Sequence, residues 1–135
     1  MVTPKSTIMP SLMFSGRAEE AMRFYVSLFD QSEVLSVRRY GPNEAGADGS
    51  VMHATFTLNG QTFSCIDSSV RHEFTFTPAI SLSVRCGSEE EADRLFERLS
   101  EDGQVFMPLA AYPFSEKFGW VADKYGVSWQ ITLDR

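Results

Sequence analysis

Histidine and cysteine are scarce in this sequence: it holds two of each, His53, His72, Cys65 and Cys86. Two cysteines standing alone in Ser-rich and apolar stretches give neither a disulfide framework nor a paired zinc spacing, so both are expected to be reduced and structural. Positive charge is also short, with twelve Lys and Arg against eighteen Asp and Glu and a formal charge of −6. The only adjacent basic pair, Arg38-Arg39, sits beside apolar residues rather than in a basic tract, so nucleic acid is not an expected partner. No apolar run is long enough to cross a bilayer, and the opening MVTPKSTIMPSLMF lacks both an apolar signal core and a small-residue cleavage site. The expectation is a cytoplasmic protein that meets no membrane. Glycine-rich phosphate cradles are missing too: the glycines at 16, 60, 87, 103, 119 and 126 stand singly, and GPNEAGADG at 41–49 precedes a strand pattern rather than a Lys and a helix. That segment reads as a mobile hairpin loop, with a lid as one possible role.

What is present is a 43% apolar composition in 135 residues, enough to build the core of one compact domain. Ala18, Ala21, Met22, Tyr25, Leu28 and Phe29 recur at three- and four-residue steps, which predicts an amphipathic helix over 17–29. Ser88 and Glu91 have capping-box spacing ahead of Ala92, Leu95, Phe96 and Leu99, which predicts a second helix over 89–101 stopped by Gly103. Offsetting one helix by 71 residues lays Ala21 on Ala92, Arg23 on Arg94, Tyr25 on Phe96 and Leu28 on Leu99, the sign of a duplicated unit.

The strands show two-residue alternation. Met52, Ala54, Phe56 and Leu58 alternate with His53, Thr55 and Thr57; Ile80, Leu82 and Val84 alternate with Ala79, Ser81 and Ser83; and Val127, Trp129, Ile131 and Leu133 alternate with Ser128, Gln130 and Thr132. Asn59-Gly60 and Tyr125-Gly126 supply turn chemistry, so 51–58 should pair with 61–67 and 117–124 with 127–133. The order is strand, helix, three strands, written twice. This is an α+β arrangement of two tandem βαβββ repeats whose apolar sheet faces are covered by the helices. The opposite faces carry Ser, Thr, His and Gln, and read either as a ligand-holding concave surface or as a wet sheet face.

The stretches AEEAMRFYVSLF at 18–29, SVMHATFTLNGQTFSCIDS at 50–68, HEFTFTPAISLSV at 72–84 and FGWVADKYGVSWQITL at 118–133 resemble the vicinal oxygen chelate superfamily of glyoxalase, bleomycin resistance and dioxygenase proteins. Within it the chain is most similar to the PhnB-like, 3-demethylubiquinone-9 3-methyltransferase-like group. The resemblance implies one glyoxalase-like domain over 1–135, with repeats at about 6–68 and 77–134 and with sheets curved around a cleft and helices outside. It also implies a homodimer. Superfamily members that do metal chemistry present His and Glu from the first and fourth strands of each repeat. Those positions fall here on Pro10, Ser64, Ala79 and Gln130, none of them a strong ligand, so neither a metal nor another cofactor is expected. Methyl transfer, the reaction in the group's label, would call for a glycine-rich strand-turn-helix that the sequence does not contain.

His53, on the polar face, is the candidate catalytic residue; it reads equally as a pocket residue, a metal ligand paired with Asp67, or a histidine satisfied by neighbours. His72, with Glu73 beside it, is the other possible metal-ligand pair, and its bland reading is a surface or dimer-contact histidine. Asp67 is expected to bind backbone amides at a turn, and Cys65 to face the helix. Leu12, His53, Ser64, Phe118, Trp120 and Gln130 form the candidate ligand-binding set, with Phe118 and Trp120 as apolar walls. The function expected is metal-free binding of a small molecule in a cleft between the repeats. The alternatives are an enzyme of lyase, isomerase or dioxygenase type using His53 or a relocated metal, and a structural protein with a vestigial cleft.

Overall fold

The protein is described here through a computed structural model covering residues 8–133. The outermost bounds expected for the two repeats, residues 6 and 134, lie outside the described residues. The chain divides into two compact units between Glu73 and Phe74.

The first unit runs β1 (Ser11–Phe14), α1 (Ala18–Leu28), β2 (Glu33–Arg39), β3 (Val51–Leu58) and β4 (Gln61–Asp67). The second runs β5 (Leu82–Cys86), α2 (Glu89–Ser100), β6 (Gln104–Tyr112), β7 (Ser115–Ala122) and β8 (Ser128–Leu133). The sheet orders are β1-β4-β3-β2 and β5-β8-β7-β6, so the two units share one topology. In each, the first strand lies parallel to the last and the other neighbours are antiparallel. The predicted βαβββ duplication is therefore present. Neither helix among the described residues is long and apolar enough to span a bilayer.

Local chemistry explains the element boundaries. Asn59 and Gly60 both adopt positive φ, 49° and 85°, the combination that a two-residue hairpin between right-twisted strands requires. Helix α2 starts where Ser88 accepts the Glu91 amide at 3.2 Å, and the Glu91 side chain reaches back to the Gly87 amide at 3.3 Å. This is a capping box displaced by one residue, and Glu89, Glu90 and Glu91 add negative charge to the first turn, where the helix dipole favours it.

Each helix covers one face of its own sheet. Ala18, Ala21, Met22 and Tyr25 of α1 are buried with Ala54, Phe56 and Leu58 of β3 and Phe63 and Cys65 of β4, and the Phe56 and Phe63 rings stack at 5.3 Å. Ala92, Leu95 and Leu99 of α2 are buried with Val121, Trp129, Ile131 and Leu133. The alternation predicted for β3 holds from His53 onward. It fails at Val51, which is fully buried, because a bulge pairs Arg38 with His53 but Arg39 with Val51 and so turns Val51 to the helix side. Register shifts also interrupt β2 between Val34 and Ser36, and β6 at several places.

One stretch departs from expectation. The alternation from Ala79 predicts a strand that β5 enters only at Leu82; Ile80 is 78% exposed and Phe74 64% exposed in irregular chain before it. The 41–49 segment is a hairpin loop closed by Tyr40 and Ser50, whose amide and carbonyl bond at 2.9 Å.

Candidate functional site

The face of each sheet turned away from its helix carries the polar residues. In the first unit, register aligns Ser36 of β2, Thr55 of β3, Ser64 of β4 and Ser11 of β1 in one row across all four strands. The hydroxyls pair along it: Ser36 Oγ lies 2.6 Å from Thr55 Oγ1, and Ser11 Oγ lies 2.6 Å from Ser64 Oγ. Thr57 and Thr62 form a shorter row on one side. On the other side stand Arg38 and His53, directly opposite one another and both exposed.

In the second unit, Met107, Trp120, Gln130 and Ser83 make the equivalent row, flanked by Ala110, Phe118, Thr132 and Arg85. Trp120 is half-buried; its ring packs at 4.9 Å from Phe106 and its Nε1–H donates to Ser128 Oγ at 2.8 Å. Ser128 Oγ in turn sits 2.6 Å from Ser81 Oγ. Phe118 meets Phe114 edge-on at 5.0 Å and Tyr112 at 6.1 Å. Trp120 and Gln130 are cross-strand partners on one face, so an apolar ring and a group that both donates and accepts project from adjacent positions.

Of the expected ligand-binding residues, Phe118, Trp120 and Gln130 come together on one face in the second unit. In the first, Ser64 and His53 share the helix-free face. Leu12 does not join them: it pairs in register with Cys65, on the α1 side, because β1 begins at Ser11 and its alternation runs opposite to the expected one. Ser64 is 6% exposed and its hydroxyl is already engaged by Ser11.

The metal positions shift as well. Pro10 and Ala79 both precede their strands, and the residues in register beside Ser64 and Gln130 are Ser11 and Ser83. The pair in the first unit is then two neutral hydroxyls and the pair in the second a hydroxyl and a carboxamide, with no imidazole or carboxylate in either, and neither pair fits a divalent metal. The relocated pairs fare no better. His53 is on the helix-free face, whereas Asp67 is buried on the α1 side, so the two cannot share a ligand. His72 Nε2 lies 2.9 Å from Ser68 Oγ in the connection after β4. Among the described residues, no three His, Cys, Asp or Glu side chains converge.

Asp67 binds backbone amides, as expected, and holds three of them. Its Oδ1 accepts from Gly16 at 2.8 Å and Ala18 at 2.9 Å, and its Oδ2 accepts from Val51 at 2.9 Å. Asp123, which sequence reasoning passed over, does the same work in the second unit. It accepts from the Tyr125 amide at 2.9 Å, the Val127 amide at 3.1 Å and the Trp129 indole at 2.8 Å. The signal was there in Asp-Lys-Tyr-Gly, an aspartate placed to close an Asx-turn. Cys65 faces the helix, and burial, with the Asp67 charge nearby, pushes its thiol up to about 12; burial and Glu91 push Cys86 up to about 11. Neither is a nucleophile at neutral pH.

The family model described as 3-demethylubiquinone-9 3-methyltransferase matches residues 6–132. The solved structure of a putative 3-demethylubiquinone-9 3-methyltransferase, PhnB protein, from Bacillus cereus is 63% identical, with a TM-score of 0.94 over 96% of this chain and 100% of that one. Protein YjdN of Escherichia coli K12 is 23% identical over 92% of each chain. A glyoxylase/bleomycin resistance protein/dioxygenase domain from Frankia shares the fold, with a TM-score of 0.67 at 20% identity over 98% of this chain and 94% of that one. The matching family model and the 63% identical structure make the chain a member of the 3-demethylubiquinone-9 3-methyltransferase (PhnB-like) family, and its duplicated βαβββ topology is the fold it shares with the glyoxylase/bleomycin resistance protein/dioxygenase domain.

Proposed function

We propose that the protein binds a small molecule on the helix-free faces of its sheets, without a metal, and that binding rather than group transfer is its activity. The observation that carries this reading is the row in which Trp120 stands directly opposite Gln130. A half-buried indole beside a carboxamide offers stacking area and directional hydrogen bonds, the mixture found in ligand pockets. The hydroxyl rows of the first unit add neutral polar partners.

The methyl transfer named in the family description calls for a donor site at a glycine-rich turn opening a helix. In this chain the turn before α1 contains one glycine, Gly16, and its amide is bonded to Asp67. The residues therefore do not fit such a site, which favours binding.

The test uses the two tryptophans. A metabolite library screened by thermal shift is expected to yield a compound that quenches fluorescence, with the quench lost in Trp120→Leu because Trp129 is buried against Asp123. Gln130→Ala should weaken that compound about 10-fold, the loss expected for a hydrogen bond or two. Compounds that bind both variants as tightly as wild type, or a screen without a binder, would overturn the proposal.

A further inference from the structure

Arg38 and Arg39 are neighbours with opposite fates. Arg39 turns to the helix side and binds Glu19 of α1, with Nη2 to Oε2 at 2.6 Å and Nε to Oε1 at 3.2 Å. Arg38 goes to the helix-free face, where its register partner is His53. Arg17, Arg23 and Lys117 are likewise engaged by carboxylates. Arg38 and His53 are exposed and, among the described residues, carry no hydrogen bond or ion pair.

The strand residues of this sheet include only two carboxylates, and neither serves Arg38. Glu33 is at the far end of β2, opposite Thr57, and Asp67 is buried on the other face among three amides. Arg38 thus stands without a carboxylate partner, with the His53 imidazole opposite it. Next to it lies the Ser36–Thr55 hydroxyl pair. Two hydroxyls bonded to each other use one of their two hydrogens, so the pair keeps one donor for a ligand. Rows two residues apart along a strand are separated by about 7 Å, within the reach of an arginine side chain.

We infer that the helix-free face of the first unit binds an oxyanion, a phosphate, phosphonate or carboxylate group of a small molecule, between Arg38 and His53, with the Ser36–Thr55 pair donating beside them. Arg38 supplies the planar fork that suits such groups. This rests on the proposal that the helix-free faces bind small molecules, and it names the ligand's charge.

The probes are inorganic phosphate, methylphosphonate and acetate, with acetamide as the uncharged counterpart of acetate, titrated into 15N-labelled protein and read by amide chemical shifts. Saturable shifts confined to β2 and β3 around Arg38, His53, Ser36 and Thr55 are expected for the anions. Arg38→Gln should weaken them at least 10-fold and His53→Gln about 3-fold, while Arg39→Gln, on the other face, should leave them unchanged. Acetamide matching acetate, or Arg38→Gln binding as wild type does, would overturn the inference and leave the small-molecule reading standing. Anion shifts that are absent, or spread over every surface cation, would overturn it too. If acetamide and the library of the preceding test also fail to bind, the broader reading falls with it.

Discussion

The Asp67 carboxylate, at the end of β4, accepts the amide of Ala18, the first residue of α1, at 2.9 Å across 49 residues of sequence. Arg17, at the N-cap, contributes no side-chain capping bond, so the helix is capped from the sheet instead of from its own N-cap residue. One buried carboxylate thereby ties β1's exit, the start of α1 and the start of β3 together.

Asp67→Ala should therefore cost about 3 kcal/mol, since it leaves three amides without their acceptor. Asp67→Asn keeps one oxygen and should cost less. Urea unfolding followed by circular dichroism checks both, and a loss below about 1 kcal/mol for the alanine variant would refute the capping role.

Gly103 meets the chain at a place where no side chain fits. A Cβ there would lie 2.2 Å from the Ala122 carbonyl oxygen, at the point where β6 begins to pair with β7. Gly103→Ala should lower stability by about 1–3 kcal/mol, the usual cost of overpacking. Gly87→Ala, where nothing lies within 4 Å, should change it by less than about 0.5 kcal/mol. Thermal melts of the two variants side by side make the comparison.

Both thiols should resist a disulfide-exchange reagent at pH 8 in the native protein and react together once it unfolds. Their folded values, about 12 for Cys65 and about 11 for Cys86, stand above the ordinary 9.0. The folded state holds the protons that the unfolded chain releases, so this contribution to stability is complete below pH 9 and declines as pH rises toward 11 and 12. A Cys65→Ala, Cys86→Ala variant should lose less stability than wild type between pH 8 and 10. Equal losses would mean that the thiols ionise as freely in the fold as outside it.

Periodicity made most of the fold legible. Both helices, the two hairpins and the duplication follow from spacing, because an amphipathic stripe and an Asn-Gly turn are local signals. What escaped were features set by pairing. The bulge at Met52 that turns Val51 inward depends on the register of β2 against β3, which no spacing in either strand records. Leu12 was misassigned for the same reason: a four-residue strand has too few alternations to reveal its face, and its partner β4 decides it. The same is true of Ser11, Ser36 and Ser83, ordinary serines until strands from distant sequence set them beside Ser64, Thr55 and Gln130.

The register shifts in β2 and β6 have a further effect. These two strands are the outer members of their sheets, each paired on one side only within its own unit. A straight, regular border of unpaired amides and carbonyls invites a foreign strand to zip onto it. Repeated bulges break the even spacing that such an intruder would need, and Pro108, inside β6, removes a donor outright. At the opposite borders, β1 and β5 are only four and five residues long. The irregularities that hide part of the site from a sequence reader also guard these sheets against amyloid-like stacking.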